Sequence, residues 1–256
     1  MIDPRAVVDP GARLADDVRV GPFSVIGPDV QIGAGTIVDS HVVIQGPTTI
    51  GRHNRFHSFG SIGGPPQDKK YQGEPTRLSI GDHNTFFECV TVNRGTTQDR
   101  GETTVGNNNW IMAYVHIAHD CDIHNNVIMA NNATLAGHIT VEDWSILGGF
   151  TKIHQFCRIG AHSFTGMNVD ITQDIPPYVL VSGAPASPHG INSEGLRRRG
   201  FDAEQLRNIK QAYKILYRSG LRLEEAMVKL SERASSQPEV KLMADFLSIS
   251  KRGITR

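Results

Sequence analysis

Apolar residues recur at every sixth position through the first two thirds of this chain, a spacing that matches neither a helix nor a simple alternating strand. Val8, Leu14, Val20, Ile26, Ile32, Val38, Ile44, Ile50, Phe56 and Ile62 form an unbroken run, and Ile80, Phe86 and Val92 resume it in phase. After a shift of one place the series continues from Val105 and Ile111 through Ile117, Leu135 and Ile153 to Ile171. Glycines such as Gly21, Gly33 and Gly51 follow directly, and small or β-branched residues (Ser24, Thr36, Val42) sit four places after a series member. Each hexad can be a short strand and a bend with its first and fifth side chains inward, the glycine being expected to relieve the bend. One such unit cannot bury its apolar side alone, whereas stacked coils of parallel strands can. Three hexads per coil predict a triangular prism, with coils about 4.8 Å apart. Hairpins would instead bring alternating strands of variable length and Asn-Gly turns. The expectation is a parallel β-helix.

Composition agrees with that architecture and removes several others. Charged residues make up 20% and the formal net charge is +0, so no overall basic footprint for nucleic acid exists. No apolar run approaches the roughly 20 residues of a membrane helix, and Met1-Ile2-Asp3-Pro4 leads on without the basic segment and apolar core expected of a leader. Three cysteines give no disulfide framework. Cys121 and Cys157 both hold the inward fifth place, two coils and thus roughly 9–10 Å apart, too far to bridge. The chain reads as soluble and cytoplasmic.

Two interruptions must loop out from the prism. One, about residues 64–79, is polar and stiffened by Pro65, Pro66 and Pro75; the other covers about residues 94–104. Long loops on a rigid scaffold often carry function. The series stops beyond Pro176-Pro177, which divides the chain into a β-helix over 1–191 and a helical domain over 192–256. Asp202 with Gln205 reads as a capping box opening a helix through Leu206, Ile209, Tyr213 and Leu216, with Gly220 as its stop. Further helices use Leu223, Ala226, Met227 and Leu230, then Pro238, Val240, Met243 and Leu247. From residue 193 onward 14 Lys/Arg face 8 Asp/Glu, a surplus of six that includes Arg197, Arg198 and Arg199 and favours an acidic partner.

The hexads at 117, 135 and 153 begin one coil apart and place His119, His138 and His154 outward on one side of successive coils, with His116 beside them. Such a gathering points to a binding or catalytic edge, since imidazole suits general-base work near neutral pH. Asp120 could orient His119, although adjacent residues on a straight strand diverge. Clustered histidines could equally hold a metal.

These residues resemble the hexapeptide-repeat acyltransferases, and most closely the acyl-carrier-protein-dependent UDP-N-acetylglucosamine O-acyltransferases of lipid A biosynthesis. The resemblance rests on Gln67-Asp68-x-Lys70-Tyr71, His116-Ile117-Ala118-His119-Asp120-Cys121, Ala130 to His138, His154-Gln155-Phe156-Cys157, and Asn192-x-Glu194-Gly195-Leu196-x-Arg198-Arg199. It implies a left-handed β-helix with a small C-terminal helical domain, a homotrimer with clefts between neighbouring prisms, and no cofactor or metal. The implied reaction moves an (R)-3-hydroxyacyl group from the phosphopantetheine arm of acyl carrier protein to the glucosamine 3-hydroxyl of UDP-N-acetylglucosamine. Within it, His119 matches the general base and the Gly137 N–H the oxyanion donor. Gln67, Asp68, Lys70, His116, His138 and His154 match sugar or phosphate contacts, and Gln155 the contact to the acyl 3-hydroxyl. Asn192, Glu194, Arg198 and Arg199 match positions near the uridine diphosphate or the carrier's arm.

Two departures stand out. Relatives often have His where this chain has Asn93, before Arg94-Gly95-Thr96. At the acyl-length ruler, where Gly permits a longer chain, Met167 predicts shorter acyl groups, near ten carbons, unless it only packs between subunits. Three rival readings are a sister N-acyltransferase of the pathway, a γ-carbonic-anhydrase-like zinc lyase using His116, His119 and His138, and a non-enzymatic trimeric scaffold. The first normally carries an additional N-terminal domain, whereas the repeats here begin by Val8.

Overall fold

The computed structural model describes residues 1–256. Its strands, mostly two to four residues long, follow the hexad series and stack as three parallel sheets, each strand pairing with the one three elements on. The first face runs from Val7–Val8 to Asp170–Ile171, the second from Arg13–Leu14 to Arg158–Ile159, and the third from Arg19–Val20 onward. Cα partners are separated by one coil of three hexads, as in Val7↔Val25, His116↔Thr134 and Thr134↔Lys152. The coil is left-handed, against the usual preference of parallel crossovers.

Side chains at the first and fifth places of the hexads fill the prism. Ile44, Ile62, Val92, Ile117 and Leu135 stack beneath the first face at 0% exposure, each worth roughly 1.5–3 kcal/mol of burial. Asparagines at the fifth place are satisfied from the neighbouring coil. Asn84 Nδ2 and its backbone N–H both donate to Asn54 Oδ1, and Asn109 N–H donates to Asn84 Oδ1. Cys121 and Cys157 are buried and unpaired, their thiols pushed up to about 12 and about 11, chiefly by burial.

The bend is made differently from the expectation. The positive-φ residue lies at the fourth place and is seldom glycine: Phe23, His41, Asp120, His138, Phe156 and His162 all adopt φ near 60°. Second-place glycines serve close approach instead. A Cβ on Gly21 or Gly33 would come within 2.6–2.9 Å of the backbone of the next coil, so the side chain is excluded by the neighbouring rung.

Both excursions leave the first face and rejoin the second, at one corner of the prism. The first departs after Ser61–Gly64 and returns at Arg77–Ile80; the second departs after Thr91–Asn93 and returns at Glu102–Val105. The pairing skips over them: Ser61 lies beside Thr91 across the first, and Thr91 beside His116 across the second. The first insertion is worth two whole hexads and preserves the phase, whereas the second is a hexad and one more and so moves the phase by one place. Arg94 ties the loops down by donating to the carbonyls of Gly46 and Gly63 and to the Tyr71 hydroxyl.

The prism continues further than the series implies. Val179–Ser182 adds a strand to the third face and folds back antiparallel onto Ser187–Ile191. Four helices follow: α1 (Ser193–Arg198), α2 (Ala203–Tyr217), α3 (Leu223–Ala234) and α4 (Pro238–Ile249). The Asp202–Gln205 capping box is formed, and Ile209, Tyr213, Leu216, Ala226, Leu230, Val240, Met243 and Leu247 are buried. The short α1 has no long apolar period to announce it; Asn192 caps it by accepting from the Gly195 N–H. The chain then returns to the prism, where Asp174 pairs with Ile254.

Candidate active site

The corner that carries both loops also carries the histidines, because place three or four of each first-face hexad falls there. Along successive coils the fourth place reads Asp120, His138, Phe156 and Asp174, and the third reads His119, Gly137 and Gln155. The result is an open cleft of ≈ 930 Å³ lined by His119, His138, Gln155, Gln67, Asp68 and Lys70, among others.

Positive φ at Asp120 turns its side chain back toward its predecessor. Asp120 Oδ2 lies 2.8 Å from His119 Nδ1, so neighbours that would diverge on a straight strand meet. The carboxylate is buried and receives the Thr96 N–H at 2.9 Å and the Thr96 hydroxyl at 2.7 Å. Burial alone would push the Asp120 carboxyl up, but the hydrogen bonds from His119 and Thr96 hold it below its ordinary value. An ionised Asp120 requires the proton of a neutral His119 to sit on Nδ1. Nε2 is then the basic nitrogen, and it has no partner in the protein.

His138 packs edge-on against His119 with ring centroids 5.0 Å apart, and stacks on Phe156 at 4.4 Å. Its Nδ1 lies 2.6 Å from Asp99 Oδ2. Gly137 lies beneath the His119 ring: a Cβ there would come 2.6 Å from Cε1 and 2.9 Å from Nε2. The Gly137 N–H donates to no acceptor in the chain. A proton acceptor and an uncommitted backbone N–H thus lie close together, a pairing that would suit acyl transfer.

Other expected residues fall elsewhere. His116 and His154 line a second, shallower groove along the first face. His116 Nδ1 is 2.7 Å from the Thr91 hydroxyl, and burial followed by the nearby His119 lowers its pKa. His116 therefore does not join His119 and His138; the group that comes together is His119, Asp120 and His138. Met167 is 76% exposed at the third place of a third-face hexad, one corner away from His119.

Asn192, Glu194, Arg198 and Arg199 line no part of the His119 cleft. Asn192 caps α1 and donates to the His162 carbonyl at 3.0 Å. Glu194 pairs with the exposed Arg198. Arg199 lies over the Trp144 ring and reaches His162 Nδ1 at 3.2 Å. Asn93 donates to the Pro65 carbonyl at 2.8 Å, bracing the first loop.

Thr96 and Asp99 were visible as loop residues, but nothing in their spacing connects them with Asp120 and His138. The signal is three-dimensional. Only the insertion of the second loop at the histidine corner could have raised it.

The hexapeptide bacterial transferase model matches residues 102–137, and the model for the second domain of UDP-N-acetylglucosamine O-acyltransferase matches residues 174–255. The chain is 58% identical over 256 residues to the acyl-[acyl-carrier-protein]–UDP-N-acetylglucosamine O-acyltransferase of Stutzerimonas stutzeri, covering 100% of this chain and 99% of that one. It is 59% identical over 255 residues to the protein of that name from Thiobacillus denitrificans, with the same coverage. The crystal structure of the Francisella novicida UDP-N-acetylglucosamine acyltransferase superposes with a TM-score of 0.99 at 43% identity, over 100% of this chain and 94% of that one.

Proposed function

The chain belongs to the UDP-N-acetylglucosamine O-acyltransferase family and is an acyltransferase, and from that premise we propose its substrates and its catalytic residues. It transfers an (R)-3-hydroxyacyl group from acyl carrier protein to the 3-hydroxyl of UDP-N-acetylglucosamine, the first step of lipid A biosynthesis. The Asp120-held His119 ring above Gly137 carries the reading. Nε2 of His119 takes the proton of the sugar hydroxyl as its oxygen attacks the thioester carbon. The charge that develops on the carbonyl oxygen is met by the Gly137 N–H. The C–S bond then breaks as the proton held on Nε2 passes to the departing sulfur, so that phosphopantetheine leaves as the thiol and His119 is neutral again. The group carried on the acyl carrier is thus substrate, and the step needs no cofactor.

Gln67, Asp68 and Lys70, with His138, sit where the sugar nucleotide can be held, and Gln155 where the acyl 3-hydroxyl would pass. The exposed column Phe23, Phe59, Tyr114 and Phe150 at the corner after the third face supports assembly with further copies as a homotrimer. In such an assembly Met167, the second-groove residues His116 and His154, and Asn192, Glu194, Arg198 and Arg199 act on a neighbour's cleft. No helix is long and apolar enough to cross a membrane. The cytoplasm is proposed as the site of the reaction from the family relationship alone. The test is an acyl-transfer assay with defined carrier-protein donors, run with UDP-N-acetylglucosamine and with its 3-amino analogue, beside His119→Ala. Transfer to the hydroxyl that is lost in His119→Ala supports the reading; wild-type turnover in that variant overturns the base.

A further inference from the structure

The far end of the His119 cleft is closed by the C-terminus of the chain, as Ile249, Lys251 and Arg252 line it together with Arg158 and Asp174. This strap is latched to the prism mainly at Asp174. Asp174 Oδ2 accepts the Ser250 hydroxyl at 2.6 Å and Oδ1 accepts the Arg158 N–H at 2.8 Å. The Asp174 backbone N–H donates to the Gly253 carbonyl, and its carbonyl accepts the Thr255 N–H. Arg252 Nε adds a bond to the Thr172 carbonyl at 3.3 Å. The strap is thereby fixed at the fourth coil of the ridge that begins at Asp120, about 14 Å along the axis at ordinary strand spacing.

Charge at this end is unbalanced. Neither Lys251 nor Arg252 pairs with a carboxylate, and Arg158 is already engaged by Glu142 at 2.8 Å. The carboxylates of the cleft are occupied elsewhere: Asp99 by His138, Asp174 by the strap, and Asp68 by the Lys70 N–H. Two adjacent cations held without a counter-charge, in a cleft that is otherwise polar, suit an anion with several acceptor oxygens.

We propose that Lys251 and Arg252 form a phosphoryl-binding end wall of this cleft, which holds a phosphate of one of the two reactants while His119 acts on the other end. The inference rests on the acyl-transfer reading, in which both reactants carry phosphate: the acceptor a diphosphate, the donor arm a phosphodiester. Steady-state kinetics on the full-length protein carry the test, with Lys251→Gln, Arg252→Gln, the double variant and Arg252→Lys. The KM for one reactant rises about tenfold in Arg252→Gln while kcat changes less than twofold, and Arg252→Lys recovers most of the loss. If the acceptor's diphosphate is bound, inhibition by free UDP weakens in parallel. If the donor's phosphate is bound, acyl-phosphopantetheine loses and acyl-pantetheine, which lacks the phosphate, is used equally by both proteins.

Unchanged KM for both reactants in the double variant overturns the end wall. Lys251→Gln, a change at an exposed side chain outside the strap's latch, provides the same readout should the double variant not fold. Wild-type protein without acyl transfer would instead overturn the function, so the two failures are distinguishable.

Discussion

His119 and Asp120 are consecutive in sequence, yet His119 Nδ1 lies 2.8 Å from Asp120 Oδ2 because φ at Asp120 is 59°. The bend of the coil thus supplies an acid–base pair from a single dipeptide, and Thr96 fixes its carboxylate from the second loop. His119→Ala should lower kcat by about 10²–10⁴, the usual range for a general base. Asp120→Asn should lower it about tenfold to a hundredfold by weakening the tautomer preference. Circular dichroism should show both variants folded, and turnover at saturating substrate is the measurement.

Gly137→Ala tests the closeness of the ring to the backbone. Gly137 does not hold positive φ, so alanine is tolerated by the main chain, but its Cβ would reach 2.6 Å from His119 Cε1. The ring must move. We expect a large loss of kcat with a melting temperature within a few degrees of wild type; retained turnover would show that His119 can shift without consequence.

Met167→Gly tests the ruler. The wild type should favour hydroxyacyl donors of about ten carbons, and the variant should gain on those of about fourteen, each methylene contributing a modest factor. Relative kcat/KM across a donor series measures it. Equal or better use of the longest donor by the wild type would end the idea.

His162 predicts an acid weakness. Burial, then the Arg199 cation, pushes its pKa down to about 4. Above its unfolded value near 6.5 both states are neutral and the residue leaves stability unchanged. Below that value the unfolded chain binds a proton that the folded one refuses, so stability falls between about pH 6.5 and 4. Allowing for partial exposure, the loss is of order 1–2 kcal/mol. His162→Gln should flatten this part of the pH–stability curve in denaturant titrations.

The prism was legible because its signal is repeated: Ile44, Ile62, Ile117 and Leu135 report the same inward column many times over. The capping box at Asp202 was legible because it is local. The bend was misread, since positive φ at residues such as Phe23, His41 and His162 carries no glycine to mark it. That also hid the His119–Asp120 contact. His154 is at the second place of its hexad and His138 at the fourth, so stacked hexads alone could not say that they open onto different grooves. Met167 and the α1 residues needed knowledge of which corner follows which face.

The loop insertions have a consequence for tinkering with this scaffold. What the prism enforces is only the rung on which a returning chain lands, Leu78 beside Thr48 in one case and Glu102 beside Arg77 in the other. Between departure and landing the loops touch the stacked body at a few pins, Arg94 on the Gly46 and Gly63 carbonyls and Thr96 on the buried Asp120 carboxylate. Outside those pins, the exposed stretches 67–75 and 97–100 can be exchanged as cassettes, altering what the corner grips while the column beneath keeps its count.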